Sequence, residues 1–185
     1  MKAIWRGLLV LSVIFPAQAA KTDGAVLDVV MAGFRGVRHV EASYVERRYL
    51  AVLRAPLETR GTLRFDAPDR LEKTSDGERI VVVGDVMTIE HGGAAPVALD
   101  LREHPEIAAL VESVRALLAG DSVALRRVFD VDLAGDATRW QIVLRPHRDD
   151  LVRWMRVDGE AATLTRIETQ EAGGDRSEIS IGAAR

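Results

Sequence analysis

Ser122 is the best-placed candidate nucleophile in the chain, standing in the block Gly120-Asp121-Ser122-Val123. A serine attacks an acyl group only when an imidazole takes its proton, so hydrolysis needs a histidine, oriented by a carboxylate, folded against the hydroxyl. In esterases with a Gly-Asp-Ser block the serine follows a strand, and the partners form a downstream Asp-x-x-His. Here the block follows a helical pattern, and no Asp-x-x-His occurs after it. Gly120 then reads as a helix-ending glycine and Asp121 as the cap of the next helix. No Gly-x-Ser-x-Gly elbow is present. The expectation is a protein that performs no chemistry, with an esterase built on Ser122 as the enzymatic alternative.

The four histidines, His39, His91, His104 and His147, are scattered singly. His147 with Asp149 and Asp150 offers one corner of a metal site. No His-x-x-x-His and no second cluster completes a ligand set, and a polar turn after Pro146 accounts for the segment. Neither a phosphate loop nor a dinucleotide fingerprint occurs, so no metal and no cofactor are expected. Only Lys2, Lys21 and Lys73 are lysines among the 25 Lys and Arg residues. Arginine-rich coding and solvated strand faces explain most of that bias. Arg60 and Arg64, on one strand face, are the candidates for binding an anion or a headgroup.

These residues sit in a chain of 185, with 48% apolar and 29% charged positions, enough for one ordinary domain and too apolar for a disordered one. The net charge of −3 supplies no basic field to recruit nucleic acid. Cys is 0, which removes disulfides, thiolate metal sites, a cysteine nucleophile and the residue that carries a lipoprotein anchor. Lys2 and Arg6 precede a mostly apolar run from Gly7 to Phe15, which Pro16 breaks before the small-x-small pattern Ala17-Gln18-Ala19. Residues 1–19 are expected to be a secretory signal, too short to span a bilayer, and residues 20–185 a single domain. Removing Lys2 and Arg6 takes the charge to −5. No other stretch approaches the ~20 apolar residues of a span. An exported, soluble protein of the bacterial periplasm follows.

The elements that position these side chains follow from periodicity. Val26, Leu27, Val30, Met31 and Phe34 recur at helical spacing between a cap at Asp23 and Gly36. From Arg38 the period becomes two, with Val40, Ala42 and Tyr44 alternating with His39, Glu41 and Ser43. After Pro56, Leu57, Thr59, Gly61, Leu63 and Phe65 share one face, and Glu58, Arg60, Thr62, Arg64 and Asp66 the other. That strand is wet on one side, as in an antiparallel sheet. Ile80 to Val83 and Val86 to Ile89 flank Gly84-Asp85 as a two-residue hairpin.

Pro105 and Glu106 open a second helix striped by Ile107, Leu110, Val111, Val114, Leu117 and Leu118. Asp121 starts a short third helix through Leu125 to Val128. Strand patterns return at Trp140 to Leu144, Val152 to Met155, Leu164 to Ile167 and Ile179 to Ile181. Turns are expected at Gly135-Asp136, Pro146 to Asp150, Asp158-Gly159 and Gly173-Gly174-Asp175. The sum is about nine or ten strands with helices at the start and middle. This is an α+β chain built on a single curved antiparallel sheet, an incomplete β-barrel covered by a lid of two or three amphipathic helices. Sheet and lid either pack solid or enclose a cavity, and composition does not separate those outcomes.

Ala42-Ser43-Tyr44-Val45-Glu46, Pro56-Leu57 and Gly61-Thr62-Leu63-Arg64-Phe65-Asp66-Ala67-Pro68-Asp69-Arg70-Leu71 together resemble the LolA family of periplasmic lipoprotein carriers. The family pattern runs Ala-Ser-Phe-x-Gln, then Gly-x-Leu-x-(apolar)-x-(basic)-Pro, then an apolar strand ending in Asp-Gly. Val81-Val82-Val83-Gly84-Asp85 stands where that strand falls. The wording around Pro56 and Ala67 is similar to a divergent branch, some members of which accompany aryl-polyene lipid clusters. The resemblance extends over nearly all of the chain after the signal.

It implies that the lid and sheet hold acyl chains between them. The cargo would be an acylated lipoprotein or lipid, taken from an inner-membrane donor complex to an outer-membrane acceptor. Such an escort is needed because a sixteen-carbon chain exposed to water costs roughly 12 kcal/mol at ~0.8 kcal/mol per methylene. Expected cavity residues are Tyr44, Leu63, Phe65, Leu71, Val82, Met87 and Ile89 from the first strands, and Trp140, Ile142, Leu144, Met155 and Ile167 from the later ones. Leu110, Val114, Leu117 and Leu118 would come from the lid, with Arg60, Arg64 and Arg70 as lid or headgroup contacts. Ala67 stands where the family carries a basic residue that ties sheet to lid, so closure would draw on Arg64 or Arg70. The sequence also ends on Ala183-Ala184-Arg185, without the aromatic and Pro-Gly tail of the housekeeping carrier. A monomer is expected. The alternatives are a module that senses stray lipid and regulates a partner, and a solid-cored structural protein.

Overall fold

In the computed structural model, which describes residues 24–148 and 152–184, period-two alternation becomes eleven strands. The first six are β1 (His39–Tyr49), β2 (Leu57–Asp66), β3 (Arg70–Ser75), β4 (Glu78–Val83), β5 (Val86–His91) and β6 (Val97–Asp100). They are followed by β7 (Phe129–Gly135), β8 (Arg139–Pro146), β9 (Val152–Glu160), β10 (Thr163–Glu171) and β11 (Arg176–Ala184). All pair antiparallel in one sheet of order β6-β5-β4-β3-β2-β1-β11-β10-β9-β8-β7. Each half is a meander of neighbouring hairpins, and the two halves join where β1 pairs with β11. The sheet is open, with β6 and β7 at its edges. The expected signal segment, Asp23 and the Asp149-Asp150 corner lie outside the described residues.

This order decides where the helices lie. The chain leaves the sheet at one edge, β6, and re-enters at the opposite edge, β7, so residues 101–128 must cross one face. That crossing holds the 3-10 turn Leu101–Glu103, α2 (Pro105–Ala119) and α3 (Ser122–Val128). They join α1 (Gly24–Phe34) on the inner face. Gly120 ends α2 at φ 68°, and a Cβ there would lie 2.3 Å from the Met31 carbonyl oxygen, so α1 and α2 meet at a position only glycine fits. Asp121 caps α3 by accepting from the Ala124 amide at 2.8 Å.

Two apolar clusters pin the helices. The larger joins Leu27, Met31 and Phe34 of α1, Leu117 of α2 and Leu125 of α3 to Leu133, Trp140, Ile142, Leu144, Met155 and Val157 on β7 to β9. Phe34 meets Trp140 edge to face at 5.9 Å between centroids. The smaller seats Leu101 and Val111 on Val82, with Leu71, Met87 and Ile107 packed around them. On the outer face, arginines pair with carboxylates. Arg47 and Arg60 converge on Glu58, Arg70 and Arg79 on Glu72, and Arg156, Arg166 and Arg176 on Glu168, which is 4% exposed. The arginine bias of the composition therefore has a structural use as ion pairing along and between neighbouring strands. No helix among the described residues is long and apolar enough to cross a membrane.

Two expectations are corrected. The strand count of nine or ten falls short of the eleven present, and β3, β6 and β7 have no strand pattern of their own named in the sequence. The Asp158-Gly159 turn does not form. Both residues lie within β9, and the chain turns at Ala161-Ala162 with Ala161 at φ 47°. Gly159 serves packing instead: a Cβ there would fall 2.1 Å from Trp140 Cζ2, and the indole Nε1 donates to the Ala161 carbonyl at 2.9 Å.

Candidate functional site

The two clusters part beneath α2, and the space between them is a cavity of about 260 Å³. Ala42 on β1, a short inner-face residue, leaves room there, and the Gly182 backbone of β11 borders the space. Its walls are Val40, Leu63, Phe65, Leu71, Ile80 and Val82 on one half of the sheet and Leu164, Ile167, Ile179 and Ile181 on the other. Phe34 and Val37 close it from α1 and its end, and Val114 and Leu118 from α2. Such a lining offers burial to apolar surface and gives little hydrogen-bonding purchase to a polar ligand.

One charged side chain facing this space is Lys73. Its ammonium pairs with Glu46 at 2.5 Å, where Glu46 is 7% exposed, and lies 5.4 Å from the centre of the Tyr44 ring. The two opposite charges compensate each other at the edge of the apolar lining. Burial pushes the Tyr44 phenol above its ordinary pKa.

Of the sequence-derived residues, Leu63, Phe65, Leu71, Val82, Val114, Leu118 and Ile167 line the cavity. Leu117, Trp140, Ile142, Leu144 and Met155 belong to the solid core under the helices, and Leu110 packs against it. Met87 packs with the smaller cluster, and Ile89 faces Ile80 across the β4–β5 hairpin. Tyr44 is buried beneath Lys73. The cavity residues that sequence reasoning missed include Phe34, Val37, Val40, Ile80, Leu164, Ile179 and Ile181. All except Val37 carried a periodic signal; what was hidden was where the helices stop covering the sheet.

The tie between lid and sheet differs from expectation. Arg64 borders the cavity, but its guanidinium pairs with Asp66 at 2.9 Å, while Arg70 pairs with Glu72 and the exposed Arg60 with Glu58. A cation that spans lid and sheet is Arg115 of α2, itself 9% exposed. It donates to the Asp69 carbonyl at 2.7 and 3.0 Å and to the Gly84 carbonyl at 2.8 Å. Asp69 also accepts from the Gly84 amide through its carboxylate at 3.0 Å, so the β2–β3 and β4–β5 turns and the lid form one network.

The groups that invited a catalytic reading stand apart. Ser122 is buried and donates to Asp28 of α1 at 2.8 Å. His39 pairs with Asp66, His91 with Glu78 and His147 with Asp130, each at a different place on the sheet. No group of three metal-ligating side chains occurs among the described residues.

Residues 19–185 match the family model described as outer membrane lipoprotein carrier protein LolA-like. No curated protein matches the chain significantly. Among solved structures, a LolA superfamily protein from Nitrosomonas europaea is similar at TM-score 0.48 and 10% identity, over 88% of this chain and 92% of that one. A DUF1329 family protein from Desulfovibrio piger has TM-score 0.46 and 10% identity, over 88% of this chain and 92% of that one. An outer membrane lipoprotein-sorting protein domain from Vibrio parahaemolyticus has TM-score 0.46 and 8% identity, with the same coverage. On the match over residues 19–185, the chain belongs to the LolA-like family of outer membrane lipoprotein carrier proteins.

Proposed function

We propose that the protein is a periplasmic carrier that shelters the acyl chain of a lipoprotein or lipid in the cavity under α2 and performs no chemistry on it. The observation that carries this reading is an apolar space left open between two packed clusters. Family membership supports it. At about 260 Å³ the cavity lies just under the ~300–1,000 Å³ of ordinary ligand pockets, which suits one chain and requires α2 to lift for more. In this reading residues 1–19 are a signal peptide, and residues 20–185 act as a single-domain monomer between an inner-membrane donor and an outer-membrane acceptor. Direction comes from the acceptor's tighter hold on the cargo.

The test is native mass spectrometry of the protein purified from a periplasmic extract, with any bound lipid fragmented. A bound acylated species is expected, and its headgroup separates lipoprotein from glycolipid or polyene cargo. Leu63→Glu places a carboxylate against the cavity and is expected to abolish the bound species while far-UV circular dichroism stays unchanged. A wild-type protein that remains empty after incubation with lipoprotein and lipid would overturn the reading.

A further inference from the structure

We propose that the loop joining β1 to β2, residues 50–56, is a membrane-docking element that seats its apolar tip in the surface of an anionic bilayer. Val52 is 88% exposed, and Leu53 and Leu57 beside it are 45% and 49% exposed. Soluble surfaces tolerate single exposed apolar side chains, but three within six residues at one hairpin end mark a contact site. The tip is presented on a fixed turn. The Leu53 amide donates to the Leu50 carbonyl at 2.9 Å, and the Ala51 amide donates to the Asp175 carboxylate of the β10–β11 turn at 2.8 Å.

Charge selects the occupant. Residues 47–60 carry four arginines against one glutamate, on a chain whose net charge is −3. Arg47 and Arg60 share Glu58, whereas Arg48 and Arg54 have no carboxylate partner among the described residues. An apolar tip flanked by uncommitted guanidinium groups matches the boundary of an anionic bilayer, where Val and Leu enter the acyl region and arginines reach phosphate. A folded partner would instead need a groove shaped to the protrusion. From Ala42 at the cavity to Tyr49 at the loop, β1 advances roughly 23 Å at ~3.3 Å per residue, so the loop orients the carrier without burying the cavity in lipid. The inference rests on the loop alone and is independent of what the cavity holds.

The test is flotation of the purified secreted protein with phosphatidylglycerol–phosphatidylethanolamine vesicles and with phosphatidylcholine vesicles. Binding is expected on the anionic vesicles, weakened by added salt. Val52→Asp with Leu53→Asp is expected to lower that binding by on the order of tenfold, and Arg48→Gln with Arg54→Gln by a similar factor. Far-UV circular dichroism should be unchanged in both, since these side chains pack against little. Binding of a fluorescent acyl probe in the cavity should also survive both, which keeps this test separate from the carrier reading. Absence of vesicle binding, or binding that both double variants retain, would overturn the proposal. So would a variant that loses contact with a membrane protein while its vesicle binding is unchanged, because that result would assign the loop to a protein receptor.

Discussion

The guanidinium of Arg115, on the lid helix α2, donates two hydrogen bonds to the backbone carbonyl of Asp69 in the β2–β3 turn. The resemblance led to the opposite polarity, a cation on the sheet reaching for the lid, and Ala67 stands at that position. Here the cation belongs to the lid and the acceptors are sheet carbonyls, so one side chain holds α2 down beside the cavity.

Arg115→Met is expected to lower stability by about 2–4 kcal/mol, since it removes charged hydrogen bonds and strands the Asp69 and Gly84 carbonyls. It is also expected to speed release of a bound acyl probe. Arg115→Lys keeps the charge without the planar fork and should fall between the two. Urea midpoints and stopped-flow release rates measure both effects. Unchanged release in a destabilised Arg115→Met protein would make the side chain a fold staple with no part in opening the lid.

Gly159→Ala tests why a glycine lies inside β9. The new methyl would meet the Trp140 ring at 2.1 Å, and the indole is held by its bond to the Ala161 carbonyl. The ring must shift, at a cost of about 1–3 kcal/mol for an overpacked core. The near-UV circular dichroism of the tryptophans should change with it. A neutral substitution with an intact spectrum would show that the ring has room to move.

Gly159 also marks how far the sequence could be read. Asp-Gly is a turn signal, and the reason for this one is a tryptophan nineteen positions earlier that only pairing of β8 with β9 brings near. Strands with a full apolar face, such as β2 with Leu63 and Phe65, were legible. β3 was not, because its inner face carries Leu71, Lys73 and Ser75 and so shows no apolar alternation. The helices were legible to their caps at Gly120 and Asp121. The site was half legible for the same reason. Leu63 and Trp140 look alike as inward strand residues, and the difference between a cavity wall and solid core is set by where α1 and α2 rest on the sheet.

Asp100 gives a prediction in pH. Its carboxylate accepts from the Arg102 guanidinium at 2.5 and 2.9 Å and from the Arg102 amide at 3.0 Å, and these bonds hold its pKa at about 2, below the ordinary 3.8. A depressed folded pKa means that the contribution is complete above 3.8 and is lost as the pH falls through about 2. The 3-10 turn that leads into α2 should therefore loosen between about pH 4 and 2. Carboxyl-detected NMR of Asp100 should show a midpoint near 2, and Asp100→Asn should remove that local response. A midpoint near the ordinary value would mean that Arg102 does not hold the carboxylate in solution.

Ser122→Ala separates a helix staple from a nucleophile. The Ser122 hydroxyl bridges α3 to Asp28 of α1, with Arg126 beside the same carboxylate at 3.9 Å, and this carboxylate supplies no imidazole to take the serine proton. Loss of the bond is expected to cost about 1 kcal/mol, read as a lower urea midpoint. Hydrolysis of a short acyl ester should sit at the uncatalysed rate in both proteins. A wild-type rate above background that disappears in Ser122→Ala would make the serine a nucleophile. The Asp28 contact would then have to give way to a base during turnover, and the carrier reading would need an added enzymatic step.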